Sequence, residues 1–522
     1  MNSTRKAYFV GGGMGSLAGA AFLIRDGGIP GSQITILEAG SAMGGSLDGM
    51  GDAERGYSIR CSHMLTTDNF ECTWDLFKSI PSQAQPGCSV FEETLEFNKQ
   101  HVSNAMARLV DSRHAKVPVA SMGFSALDRI ELLKLADTDE VWLRNGCITD
   151  HFSPAFFQSK FWLMWATTFA FQPWHSAVEF RRYLHRFMLE FTRLDTLAGV
   201  KHTVLNPYES LVLPLQRWLE AQGVQLVNDC TVTDIDARDM SGCFEVFGLT
   251  YSRKDQGKTV LAVKDDLVFL QNGSMVDASS VGTMTTAPLK LRSAPDGSWA
   301  LWEKLANDWP GFGNPAVFNS CIAKSDGASF TITLKSPSFF DQMRRFSGNE
   351  AGTGGLVTFK DSNWLMSIAL PHQPLFADQS NDVQVFWGYG LSGDRIGNFV
   401  AKAMADCTGA ELLQELCGHL GFDLGTMASA NCIPCRMPYA TSMFMPRAPG
   451  DRPLPVPEFT ANFAFISQFV EITLDAVNTV EFSVRAAQMA VYQLLRIDKP
   501  IPRIAPHDKS LETRFKVLLK SL

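Results

Sequence analysis

The chain has 522 residues, 45% hydrophobic and 19% charged, and its 46 basic and 54 acidic side chains leave a net charge of -8. No long run of either sign interrupts it, which excludes nucleic acid as a natural partner, and its length calls for two or three intertwined domains rather than one core. Phenylalanine outnumbers tyrosine 37 to 8, a bias that suits a large apolar cavity and a thick core equally.

Met1 to Lys6 lead directly into Ala7–Val10, a short apolar strand, so the eleven cysteines are expected as free thiols in a reducing cytoplasm. Val10 to Gly19 reads VGGGMGSLAG. Gly11 permits a tight turn, and Gly13 lets the backbone approach a pyrophosphate seated on the N-terminus of the next helix, Leu17 to Asp26. Ser16 stands where a third glycine is usual. That position governs helix–strand packing, and serine is small enough to serve. Ile34 to Glu38 reads as a second strand ending in an acid, placed to hydrogen-bond a ribose hydroxyl. Strand, glycine turn, helix, strand and acid together define a dinucleotide site. The small-residue turn Ser41 to Ser46, with Gly44, Gly45 and Ser46, is of the kind set beside a flavin and selects FAD over NAD.

Phe161 to Phe171 (FWLMWATTFAF) is too short to cross a bilayer. From Ser176 to Phe191, the residues Ala177, Phe180, Leu184, Phe187, Met188 and Phe191 fall at helical spacing on one face. Tyr183 sits on the edge of that face. Its phenol offers an apolar body and a donor tip, and Arg182 and Arg186 beside it are expected to stabilise a phenolate; a tyrosine snorkelling from a core helix is the alternative. Val224–Val227 and Thr231–Ile235 read as paired strands, with Val232 in the segment that meets the adenine. Cys432 and Cys435 form one CxxC with no second pair, so no metal site is expected, and the choice between a redox pair and coincidence stays open. Phe463–Ile466 returns the chain to the first domain as a late buried strand, Ser467 follows at the flavin, and an amphipathic helix is expected from Asp475 to Leu495. In the tail, Leu511, Phe515, Leu518, Leu519 and Leu522 form a stripe with Arg514, Lys516 and Lys520 around it. Such a helix fits peripheral contact with a membrane surface, or docking on the body or on a second copy of the chain.

Five blocks carry a family resemblance: VGGGMGSLAGAAFLIRDG at the start, Gly56–Ser82 (GYSIRCSHMLTTDNFECTWDLFKSIPS), Phe161–Phe187 (FWLMWATTFAFQPWHSAVEFRRYLHRF), Met437–Pro453 and Phe465–Arg485. In order and over nearly the whole chain, they resemble the oleate hydratases, formerly called myosin-cross-reactive antigens. The resemblance implies a cytoplasmic flavoprotein that adds water across an isolated cis double bond of an unsaturated fatty acid, with no net redox change. It puts Tyr183 at the position of the family's catalytic tyrosine. Hydration of a plain alkene needs a proton donor against one carbon and a water against the other.

The water side departs from the family. An Arg-Gly-Gly-Arg run followed by glutamate is replaced here by Arg60-Cys61-Ser62-His63-Met64, and the Met64 thioether in the glutamate's place cannot take a proton. His63 is open as a base or as a structural histidine, and Asp68, Glu71 or backbone carbonyls are further means of holding water. Ala369, Pro371 and Leu375 likewise fill places where relatives offer polar residues to the fatty-acid carboxylate, leaving His372 and Gln373.

The expected architecture is α/β: a discontinuous Rossmann-like FAD domain (1–110, 211–300, completed in 431–500), a mixed α+β substrate domain (301–430), a mainly helical lipid-covering region (111–210) and a C-terminal amphipathic helix (501–522). The rival functions are a flavin-dependent desaturase or isomerase acting on a lipid or polyene, and a flavin-bearing lipid binder without catalysis.

Overall fold

The computed structural model describes residues 5–61, 64–253, 257–263, 265–290 and 297–521. A five-stranded parallel sheet runs in the order Phe463–Phe465, Leu267–Leu270, Ala7–Val10, Ile34–Leu37, Gln225–Val227. Its central strands, AYFV and LVFL, are buried throughout. Continuous apolar runs are what a parallel sheet covered on both faces requires. These strands come from widely separated stretches of chain, as expected for a discontinuous Rossmann-like unit in an α/β fold.

The helices Met14–Arg25 and Val480–Leu495 pack on this sheet and on each other. Glycine sets how close they come. A Cβ at Gly19 would lie 2.7 Å from the Phe9 ring, and one at Gly15 would lie 2.8 Å from the Ile466 carbonyl. Gly15 and Gly19 therefore do the packing that sequence reasoning gave to position 16. Ser16 is fully buried and instead accepts a hydrogen bond from the Gln271 amide at 3.1 Å.

Two further readings change. Gln225–Val227 does not pair with the segment after it. It joins the parallel sheet beside Ile34–Leu37, while Cys230–Asp239 pairs antiparallel with Phe244–Arg253. The left-handed turn at Asp229 (φ 52°) makes the switch, with the Cys230 N–H donating to the Glu38 carbonyl at 2.8 Å. The late helix begins at Val480 rather than Asp475, because left-handed Leu474 and Asn478 (φ 69° and 62°) hold the chain irregular until Thr479 caps the first turn.

An eight-stranded mixed sheet forms the second layer, in the order Ser280–Val281, Asn431–Met437, Gly327–Leu334, Gln384–Gly390, Met366–Ala369, Leu356–Phe359, Leu109–Val110, Lys116–Val117. Cys432 and Cys435 lie on the Asn431–Met437 strand. Three residues apart on a strand they face opposite ways, Cys432 into the sheet's core and Cys435 into a cluster with Cys61 and Met437. They form no redox pair.

Helix Lys160–Phe169 packs on the strand Leu356–Phe359, and helix Ala177–Arg186 packs on that helix through the ring contacts Trp165–Phe180 and Phe169–Tyr183. The single helix expected to Phe191 is broken at Phe187 (φ -108°, ψ 31°), and a short Met188–Phe191 turn follows. The terminal helix Leu511–Ser521 docks by its polar side: Lys520 pairs with Asp195 at 2.6 Å, Arg129 donates to the Ser521 carbonyl, and Leu511, Phe515, Leu518 and Leu519 stay exposed. Leu522 lies outside the described residues. No described helix is long and apolar enough to cross a membrane.

His175, in the turn before Ala177–Arg186, is fully buried, and its Nδ1 accepts from the Gln172 N–H at 3.0 Å. Burial pulls its pKa down to about 3. The unfolded chain takes up this proton below about 6.5, so the contribution to stability is fully present above that pH and is lost as pH falls toward 3. Unfolding in urea should show His175→Asn to have a flatter stability profile than the parent between pH 6.5 and 5, by up to about 1.4 kcal/mol per pH unit.

Candidate active site

Two glycine turns meet beneath the edge of the parallel sheet. The Gly44 N–H donates to the Gly12 carbonyl at 2.9 Å, Gly13 bridges to Gly44, and Gly44 and Gly45 adopt φ values of 110° and 61°. A cavity of about 80 Å³ opens beside them, lined by Gly13, Gly45, Ser46, Gln271, Ser467 and Gln468 among others. The helix that starts at Met14 has neither a side-chain cap nor an acid in its first turn. Its leading N–H groups and positive dipole end are thus left for an anion. Glu38 receives the Gly12 and Gly40 N–H groups on its two carboxylate oxygens, at 2.5 and 2.6 Å. Gly11 turns at φ 94° against the Gln271 side chain. The Ser467 hydroxyl donates to Asn272. Val232 is buried one turn beyond the Glu38–Cys230 contact, away from the lining of this cavity.

A larger chamber of about 230 Å³ lies next door, walled by Met64, Phe169, Tyr183, Phe187, Leu197, Met275 and Met437. The strap Asn478–Val480 lines both cavities. Gln468, on the small cavity, clamps the strap: its amide oxygen accepts from the Asn478 N–H at 2.6 Å and its amide nitrogen donates to the Thr479 carbonyl at 2.9 Å.

Tyr183 is 1% exposed, and its hydroxyl donates to the Val477 carbonyl at 2.5 Å, one residue before the strap. Phe169, Phe171, Phe187 and Phe444 surround the ring at centroid distances of 4.9 to 5.7 Å. The flanking arginines do not serve the phenol as expected. Arg182 pairs with Glu140 and Glu471 at 2.8 and 2.6 Å, and Arg186 with Asp475 and Glu71 at 3.0 and 2.6 Å. With those cations neutralised, burial and the charges of Glu179 and Asp475 hold the phenol's pKa well above its ordinary value. Tyr183 is a locked, protonated donor and not a poised phenolate.

Met64 lines the same chamber as Tyr183, and His63 lies outside the described residues. The carboxylates suggested for water are taken: Asp68 by Arg193 at 2.6 Å, Glu71 by Arg186, Arg485 and the Ala505 N–H. Neither lines the chamber. Instead Asp326, just before the strand Gly327–Leu334, lines it, and its Oδ1 is buried without a partner among the described residues. The Cys61 thiol, also in the wall, is pushed up to about 12 by burial.

The chamber continues into a side pocket of about 80 Å³ through the shared residues Cys61, His202, Ala369 and Trp387. Pro371, His372 and Leu375 complete that end. Three buried nitrogens there have no partner among the described residues: His202 Nε2, His372 Nδ1 and Trp387 Nε1. Gln373 is spent inside its own loop, donating to the Pro371 and Val385 carbonyls. Burial lowers the His202 pKa to about 4.

A parallel sheet with its glycine turns, joined through one strap to an internal apolar chamber, defines an α/β protein of the Rossmann-like class. The MCRA family model matches residues 4–492, and the chain belongs to that family. It is 37% identical to the oleate hydratase of Streptococcus pyogenes serotype M49 (strain NZ131), across 96% of this chain and 86% of that protein. It is 32% identical to the linoleate hydratase of Lactiplantibacillus plantarum, across 99% and 98%. In fold it is similar to an oxidoreductase from Methanosarcina mazei (TM-score 0.50, 11% identity, 94% of this chain and 100% of that one) and to cyclohexylamine oxidase from Brevibacterium oxydans IH-35A (0.51, 10%, 94% and 99%).

Asp475 is 1% exposed between Arg186 and Arg485, at 3.0 and 2.9 Å. Removing one partner of such a buried network strands the others. Asp475→Asn should lower unfolding free energy by about 3 to 5 kcal/mol in a denaturant titration.

Proposed function

We propose that this protein is a FAD-containing hydratase that adds water to an isolated cis double bond of an unsaturated fatty acid, giving a hydroxy fatty acid. The observation that carries this reading is Tyr183: a protonated phenol, surrounded by aromatic rings, at the wall of an apolar chamber that shares a strap with a glycine-lined cavity. The names of the two hydratase relatives point the same way.

The residues present fit FAD. Gly11, Gly13, Gly44 and Gly45 leave backbone open where any Cβ would intrude, and the first turn at Met14 has free N–H groups for the pyrophosphate. Glu38 would take the ribose, Val232 the adenine side, and Ser46 and Ser467 the flavin end. FAD held by these residues would supply charge to the neighbouring site, and hydration takes no electrons from it. Gly44→Ala forces an L side chain into φ 110° with Val212 methyl groups 3.1 Å away, and the purified variant should lose its flavin absorbance.

In the chamber, the Tyr183 O–H turns from the Val477 carbonyl to the alkene and delivers its proton to one carbon while positive charge develops on the other. The phenolate left behind is attracted to that cation, and the low polarity of the site strengthens the pairing. Its high proton affinity then ensures that it regains a proton. The side pocket would receive the lipid's polar end, with the Trp387 N–H and His202 as hydrogen-bonding partners.

The test is incubation with FAD and oleic acid in water enriched in oxygen-18, followed by mass spectrometry of the lipid. A hydroxy acid carrying the heavy oxygen is expected; a desaturated or isomerised product would replace this reading by flavin redox chemistry. Tyr183→Phe should lower turnover by about 10² to 10⁴ while leaving the thermal midpoint close to the parent's.

A further inference from the structure

Hydration needs a group that accepts a proton from water, as well as the phenol that gives one. Among the described residues of the chamber wall such groups are few, and His202, whose pKa burial lowers to about 4, is a weak base at the side-pocket end. Met64 has only a thioether, the Cys61 thiol is held far above neutrality, and Arg60 is fully engaged by Asp48, Ser279 and the Gly45 carbonyl. Among the described residues lining the chamber, Asp326 is the one carboxylate.

Asp326 ends the short helix Ile322–Ser325 and precedes the strand Gly327–Leu334, beside Met437, Ala440 and Thr441 of the wall. Its Oδ2 accepts from Arg436, and its Oδ1 is buried with no hydrogen-bond partner among the described residues. The charged groups facing it are Arg436, Lys290 and Asp406, and Arg436 is shared with Asp406 at 3.2 Å. Burial outweighs the two cations and raises the carboxyl pKa above its ordinary range. A buried carboxylate oxygen left without a partner, on a residue of the chamber wall whose other oxygen an arginine holds, calls for a donor, and water is the donor the reaction supplies.

We propose that Asp326 is the base that holds and deprotonates the attacking water. This rests on the hydratase reading. As the water oxygen bonds to the electron-poor carbon, one water O–H bond breaks and its proton passes to Oδ1. At the other carbon the Tyr183 proton forms the new C–H bond. Asp326 then loses its proton and the phenolate regains one by exchange with solvent as product leaves, so one water is consumed and no oxidant or reductant is needed.

The test compares full-length, flavin-loaded wild type, Asp326→Ala and Asp326→Asn with oleic acid in oxygen-18 water. If wild type makes no labelled hydroxy acid, the hydratase reading itself fails. If it does, both variants should lose about 10²-fold or more in kcat with oleic acid binding unchanged, and sodium formate should restore turnover in Asp326→Ala but not in Asp326→Asn. The base works ionised, so wild-type kcat/KM should fall as pH drops through the raised carboxyl pKa, and the variants should lack that acid limb. Should Asp326→Ala fail to fold, the acid limb of Asp326→Asn, which keeps an acceptor for Arg436, decides alone. Full activity in either variant, or a retained acid limb in Asp326→Asn, overturns the proposal.

Discussion

Asp475 between Arg186 and Arg485 is the constraint on which the site depends. The three side chains come from the helix Ala177–Arg186, the irregular segment after Leu474 and the helix Val480–Leu495, and all are nearly excluded from water. Glu71 and Glu481 complete the cluster on its other side. Charges in such a place persist only if each is matched. The match fixes the turn that carries Val477, and so the direction in which the Tyr183 hydroxyl is held. A second cluster, Glu179 with Arg447 and Arg452 and Glu471 with Arg182, anchors the other face of the same helix. The helix that carries Tyr183 is thus held by ions on its polar side and by aromatic rings on its apolar side.

Much of this was legible in the sequence because it is local. The glycine turn, its helix and the strand ending at Glu38 lie within forty residues and follow from backbone requirements at each position. The late strand Phe463–Phe465 announced itself as an apolar run, and helical spacing placed Tyr183 on an apolar face. What was not legible depends on partners far along the chain. The Tyr183 hydroxyl bonds a carbonyl 294 residues away, and no spacing rule indicates that. The same distance hid the fate of Arg182 and Arg186, which looked like partners of the phenol because they adjoin it and proved to belong to carboxylates on other elements.

Asp326 belongs to no motif that the sequence singles out, whereas Asp68 and Glu71 stand near the one where water is expected. Both lie off the chamber and are paired with arginines, while Asp326, also paired with an arginine, lines it. Ser16 likewise read as a tolerated substitute for glycine, while the fold gives its hydroxyl to Gln271 and leaves close packing to Gly15 and Gly19.

The strap Asn478–Val480 is a wall one chain thick between two cavities, held by Gln468 from one side and continuous with the carbonyl that receives Tyr183 on the other. A molecule that stiffens it from either side lowers the ordering cost for the molecule that arrives second. Thermodynamic reciprocity then fixes the size of the effect: by whatever factor a nucleotide in the small cavity sharpens affinity for a lipid in the large one, the lipid must sharpen affinity for the nucleotide by the same factor. Under the proposed hydratase reading, a cofactor that exchanges no electrons would in that way be tied to turnover, because the substrate itself would help to retain it.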